Sequence, residues 1–122
     1  AGGMSELLEW RVATGATGLL REFNLAGVLD AADVHAAQRI TTLAGEPDET
    51  VGLALALTVR ALRHGSVCLD LSTVAADTDG AEVSWPEPQA WLTAVRDSRL
   101  VQAQVLRLYD GRLLYLDRYW RE

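Results

Sequence analysis

The sequence predicts a mostly helical α+β fold: a small bundle of roughly four to five short helices with a C-terminal β-hairpin. Three observations lead there. The stretch from Val51 to Leu62 carries a single charged residue, Arg60, and its Leu, Ala and Val residues occupy every side of a helical wheel, so this helix must be surrounded by the rest of the chain. Turn-forming Gly45-Glu46-Pro47-Asp48 and the rigid Trp85-Pro86-Glu87-Pro88 separate segments of helical period. From Val105 onward the apolar period drops from about 3.6 to about 2 across an Asp110-Gly111 pair, a strong short-range hairpin signal.

In chain order, residues 1–18 read as a loosely ordered arm. Leu7, Leu8, Trp10 and Val12 form an apolar patch that Gly15 and Gly18 interrupt, and Ala1-Gly2-Gly3 ahead of Met4 has the look of a cloning remnant. The domain proper is expected over residues 19–122. Leu19, Leu20, Phe23, Leu25, Ala26 and Leu29 give a first helix with a weak point at Gly27. Asp30 stands at an N-cap with Asp33 three residues on, and a second helix over Ala31–Leu43 carries Val34, Ala37, Ile40, Thr41 and Ala44 on one face. Gly45 ends it, Asp48 after Pro47 opens the central helix, and His64-Gly65 closes that one.

Val67 to Leu71 reads as a short extended piece packed back under the central helix, and Ser72 to Asp79 as one helical turn and a loop, with Asp77-Thr78-Asp79-Gly80 as turn chemistry. Glu87–Asp97 is a helix with Trp91, Leu92 and Val95 on one face. A two-residue Asp-Gly turn then sets Leu108 opposite Leu113 and Leu106 opposite Tyr115 on the inner side, leaving Arg107, Tyr109, Arg112 and Leu114 on the other. Asp117 is placed to cap a further helix, yet no stop signal follows before Glu122, so a longer parent chain is expected.

At 122 residues the chain fits one domain with a real core. Its net charge of -6 and pI near 4.8 disfavour a domain built to grip a phosphate backbone. All eleven basic residues are Arg, which removes Schiff-base chemistry, a pyridoxal phosphate lysine and the phosphate-binding lysine of a P-loop together. One cysteine, Cys68, excludes an internal disulfide and places the expectation in a reducing, cytoplasmic compartment; with two His it cannot assemble a Cys-rich zinc site. The start of the chain lacks the basic and apolar regions of a signal peptide, and the core run is far short of the roughly 20 residues that span a bilayer.

Candidate chemistry is sparse. His64 and Cys68 are spaced like a base and a thiol on a helix, but Gly65 breaks that helix; the simpler reading is a His at a helix end and a Cys in the core. His35 beside Asp33 reads as a solvated helix position with no nucleophile to serve, and Asp70, a carboxylate between two Leu, as a group that needs a hydrogen-bonding partner or an outward orientation. Gly15-Ala16-Thr17-Gly18 follows no strand and is weak evidence of a phosphate loop. Tyr109, Arg112, Tyr115, Arg118, Tyr119, Trp120 and Arg121 gather the residue types of interface hot spots. They are also the types that stack single-stranded bases, and packing of Tyr115 and Trp120 in the core is the plain rival. The acidic charge favours protein contact, with Tyr109, Arg112, Tyr119 and Trp120 as the candidate partner-interface residues.

Three blocks carry a family resemblance: Arg60 to Leu71 (RALRHGSVCLDL), Pro88-Gln89-Ala90-Trp91-Leu92, and Gly111 to Glu122 (GRLLYLDRYWRE). In order and spacing they resemble the N-terminal domain of RecD, the alpha subunit of exodeoxyribonuclease V, over roughly Leu19 to Glu122. None of the blocks is a catalytic motif, and this chain has one extra Leu in the last, giving Leu113-Leu114-Tyr115. The resemblance implies a non-catalytic assembly domain that precedes an ATP-dependent DNA helicase core and docks the subunit into the RecBCD complex for double-strand-break repair and homologous recombination. The docking is expected largely against RecC, with RecB and the subunit's own helicase core as further neighbours. DNA is then reached through the full complex, and ATP and magnesium belong to the helicase core, with no cofactor or metal in this segment. A homodimer of the isolated segment is a further expectation, since interface surface would be left uncovered. The alternative is a winged-helix-like module that binds single-stranded DNA itself, and a small enzyme built on Asp70 or His35 is the third reading.

Overall fold

Every residue from Val51 to Thr58 is buried, as an apolar pattern on all sides of a helix requires. The computed structural model describes residues 18–77, 83 and 85–117. Its elements in chain order are α1 (Gly18–Leu25), α2 (Ala31–Ala44), α3 (Glu49–Arg63), β1 (Leu69–Asp70), α4 (Val74–Asp77), α5 (Pro88–Arg96), α6 (Arg99–Gln102), β2 (Leu106–Tyr109) and β3 (Leu113–Leu116). The chain is therefore mostly helical α+β, as its sequence predicts. Helix α3 is central, packing against α1, α2, α5, β1 and β3. The one hydroxyl in its buried stretch, Thr58, donates to the Ala54 carbonyl at 2.8 Å, which removes the cost of burying it.

Local signals set the helix ends. Asp48 accepts from the Thr50 N–H at 2.8 Å and opens α3. Gly45, at φ 74°, ends α2 in the left-handed conformation that glycine adopts at low cost. Glu46, between them, spans two elements. One carboxylate oxygen accepts from the Asp48 N–H at 3.0 Å and the other from the Arg99 N–H at 2.8 Å, the latter opening α6. Glu87 caps α5, accepting from Ala90 at 2.6 Å, and Pro88 stands where the missing N–H is not needed.

Phe23, Trp85 and Trp91 form an aromatic cluster over α3. Phe23 meets Trp85 edge-on at 4.8 Å, Trp85 lies 6.2 Å from Trp91, and the Trp91 indole N–H donates to the Thr50 carbonyl at 2.7 Å.

One local expectation is corrected and two features are added. Ser98 opens an extra helical turn, α6, ahead of the hairpin by accepting from the Val101 N–H at 3.3 Å. The extended piece after α3 is a third strand: β1 pairs antiparallel with β3, giving the sheet order β1-β3-β2. The hairpin register is also one residue off that of a plain two-residue loop, since Leu108 pairs with Leu114 and Tyr109 with Leu113. The turn itself forms as expected, with positive φ at Asp110 (55°) and Gly111 (67°) and the Arg112 N–H donating to the Tyr109 carbonyl at 3.1 Å. The Arg112 carbonyl, however, accepts from the Leu71 N–H at 2.9 Å. Arg112 thus sits in a bulge drawn toward β1, and the ladder resumes at Leu113.

That single shift exchanges the faces of β3. Leu114 and Leu116 point into the core with Leu106, and Leu69 and Leu108 pack against it. The outward face carries Cys68, Asp70, Arg107, Tyr109, Leu113, Tyr115 and Asp117.

Candidate functional site

The outward face of the sheet is held by contacts across all three strands. Arg107 on β2 donates to Asp117 from Nη2 at 3.1 Å and Nε at 3.3 Å. Hydrogen bonding to the Tyr109 hydroxyl, and then the Asp117 carboxylate, raises the Arg107 pKa and keeps its guanidinium charged. The rings of Tyr109 and Tyr115 meet edge-to-face at 5.1 Å and 87°. Tyr115 in turn shares a hydrogen bond with the Cys68 thiol, which holds the phenol pKa above its usual value. At the β1 edge, Asp70 accepts from the Ser72 N–H at 2.9 Å and hydroxyl at 2.6 Å, and from Arg112 Nη1. The Ser72 hydroxyl and then Arg112 stabilise the carboxylate, which lowers the Asp70 pKa. Tyr109 remains 49% exposed, so this ordered surface offers aromatic area to solvent.

Of the four candidate interface residues, Tyr109 lies on this face. Arg112 lies at its rim, exposed but tied to Asp70, so it fastens the hairpin to β1. Tyr119 and Trp120 are outside the described residues. Asp70 takes the hydrogen-bonding role that its position between two Leu requires. His35 is exposed on α2, and His64 is the C-cap of α3, its backbone N–H donating to Arg60 at 3.1 Å.

One constellation escaped sequence reasoning. Asp33 is fully buried and accepts from Arg63 through Nε at 2.8 Å and Nη2 at 3.0 Å, while Arg63 Nη2 also reaches Asp30 at 3.1 Å. Asp33 further accepts from the Asp30 N–H at 3.0 Å, as a capping box requires. The fork joins the end of α3 to the start of α2 and raises the Arg63 pKa, chiefly through the Asp33 hydrogen bonds. A signal for it was present: Asp33 lies one helical turn before Ala37 on the buried stripe of α2, and a carboxylate there demands a cation.

No group of three or more metal-ligating side chains occurs among the described residues, and no helix among them is long and apolar enough to cross a membrane. A cleft of about 150 Å³ between α1, α2 and the start of α3 is lined by Leu20, Gln38, Glu46, Asp48 and Glu49. It falls below the roughly 300 Å³ at which ligand pockets begin, and Glu46 and Asp48 are occupied as caps.

The family model for the RecBCD enzyme subunit RecD, N-terminal domain, matches residues 25–115, which contain α3, β1, β2 and all of β3 but its last residue. The chain belongs to the RecD N-terminal domain family. It is 59% identical over 111 residues to the RecBCD enzyme subunit RecD of two Mycobacterium tuberculosis strains, CDC 1551 and H37Rv, an overlap that covers 90% of this chain and 19% of each relative. The RecD subunit of Mycolicibacterium smegmatis is 58% identical over 98 residues, covering 80% of this chain and 18% of its own length. The chain thus spans about a fifth of the curated relatives it matches. No solved structure matches it significantly.

Proposed function

We propose that this RecD N-terminal domain is a non-catalytic assembly module, docking a RecD-type helicase subunit into a RecBCD complex that acts in the cytoplasm in double-strand-break repair and homologous recombination. The relatives are named as subunits of one enzyme, so a partner surface is the first thing such a domain needs. The observation that carries the reading is the outward face of the sheet. Its ion pairs are internal to the domain, its rings are mutually packed, and it still exposes Tyr109. Rigid aromatic area with little ordering entropy left to lose is what a protein interface draws on. RecC is the expected principal partner, with RecB and the subunit's own helicase core beside it, and ATP and magnesium are assigned to that core.

Tyr109 and Arg107 on an antiparallel sheet also favour a second reading, contact with single-stranded nucleic acid. Against it, Arg107 and Arg112 are already neutralised by Asp117 and Asp70. Titrating the full subunit, wild type and Tyr109→Ala, against RecB with RecC and against labelled single-stranded DNA at low salt separates the two. Weakened subunit binding with DNA binding unchanged supports the assembly role. Tight, salt-sensitive DNA binding that depends on Tyr109 supports the other.

A further inference from the structure

Strand β3 reads Leu113-Leu114-Tyr115-Leu116, apolar at every position, so its own alternation does not decide which side faces the core. In the observed register Leu114 and Leu116 are buried, while Leu113 and Tyr115 lie outward and half-buried beside Tyr109. A plain two-residue loop over Asp110-Gly111 would instead pair Tyr109 with Arg112 and Leu108 with Leu113. It would turn Leu113 and Tyr115 inward and Leu114 and Leu116 outward. Either register offers the core two large apolar side chains, and the choice falls to Arg112. Its N–H donates to the Tyr109 carbonyl at 3.1 Å while Tyr109 pairs with Leu113, so two residues stand opposite one. The extra residue is held from the β1 side at two points: its carbonyl accepts from the Leu71 N–H at 2.9 Å, and its guanidinium donates to Asp70. Asp70 is itself fixed, its other oxygen accepting from the Ser72 N–H at 2.9 Å and hydroxyl at 2.6 Å.

We propose that Asp70 and Arg112 are positioning residues of the docking face, holding β3 in the bulged register that sets Leu113 and Tyr115 beside Tyr109. The inference rests on the assembly reading and adds to it the contact that presents the face. Only in this register do the Tyr109 and Tyr115 rings meet edge-to-face at 5.1 Å, since a slip of one residue sends Tyr115 to the other side of the sheet. Loss of the Asp70 to Arg112 contact returns part of the population to the plain register, and apparent affinity falls with the fraction that still presents the aromatic face.

The test uses the full subunit titrated against RecB with RecC, comparing wild type, Asp70→Ala, Arg112→Ala, the double variant and a chain from which Arg112 is deleted. Deletion removes the ion pair and the extra residue together, so the plain loop then pairs Tyr109 with Leu113 and Leu108 with Leu114 and keeps Tyr115 outward. Thermal melts serve as the folding control, because an ion pair at the surface contributes little to stability. The expected result is a rise in Kd of about threefold or more for each substitution, little further rise in the double variant, and a return to within about twofold of wild type on deletion. A contact that merely stabilised the domain would leave the deletion as weak as the substitutions. Substitutions that bind within about twofold of wild type while Tyr109→Ala weakens binding would overturn the positioning role and leave the assembly role standing. A deleted chain that binds no better than Arg112→Ala, or no longer melts cooperatively, would overturn the register as the cause. Wild-type subunit that does not bind would overturn both.

Discussion

Replacing Arg63 with Ala removes a side chain that ties the end of α3 to the start of α2. Asp33 is 0% exposed, and the substitution deletes both guanidinium bonds to it, leaving the Asp30 N–H among its described partners. Breaking a buried ion pair from one side costs about 3–5 kcal/mol, because a desolvated charge stays behind. The Arg63 side chain is 39% exposed, so water can enter the space it vacates and the penalty should fall to about 2–3 kcal/mol. At roughly 3–5 °C per kcal/mol for a domain of this size, Tm should drop by about 6–15 °C. Urea denaturation followed by circular dichroism should show a lower midpoint at an unchanged slope. The double variant Asp33→Leu/Arg63→Leu should recover only part of the loss, since it removes the unpaired carboxylate but also the acceptor of the Asp30 N–H in the capping box. A loss below about 0.5 kcal/mol for Arg63→Ala would refute the reasoning, because it would mean that Asp33 finds solvent or another donor once Arg63 is gone.

Three further outcomes follow from single contacts. Asp70 has a folded pKa below its unfolded value, so its contribution is present above the unfolded carboxylate pKa near 3.9 and is lost as pH falls through the folded value; Asp70→Asn should cost about 1 kcal/mol or less at pH 7, and the gap to wild type in chemical denaturation should narrow as pH falls below the unfolded pKa. Gly18→Ala should destabilise by about 1 kcal/mol or more in thermal melts, since φ is +62° and the new Cβ would lie 1.9 Å from Glu49 Oε1; adding Glu49→Ala relieves the clash but leaves the backbone cost, so only part of the stability should return. Trp91→Phe keeps most of the apolar contact and removes the indole donor to the Thr50 carbonyl, for a loss of about 1 kcal/mol, whereas Trp91→Ala should cost about 3–5 kcal/mol, both read by urea midpoints.

What the sequence made legible was local. The all-round apolar pattern of Val51–Leu62, the Gly45 and Asp48 boundary signals and the Pro88 helix start each act within a few residues, and each element stands where those signals put it. What it concealed was long-range. The hairpin register turns on Arg112, whose carbonyl is claimed by Leu71 and whose side chain is claimed by Asp70, 42 residues away. A two-residue strand such as β1 has no period of its own to read, and α6 rests on a one-residue cap at Ser98 and on Glu46, 53 residues before Arg99. The outward placement of Tyr109 was legible because it stands on the polar alternation of the strand just before the Asp110-Gly111 turn. Asp33 and Arg63 were missed because their pairing spans 30 residues and shows only as a carboxylate on a buried stripe.

The most direct measurement of the assembly role is titration of this domain, at micromolar concentration, against RecB with RecC by calorimetry or interferometry, alongside the full subunit. Saturable association that Tyr109→Ala weakens is the predicted result. Full-subunit binding with no association of the domain would contradict it.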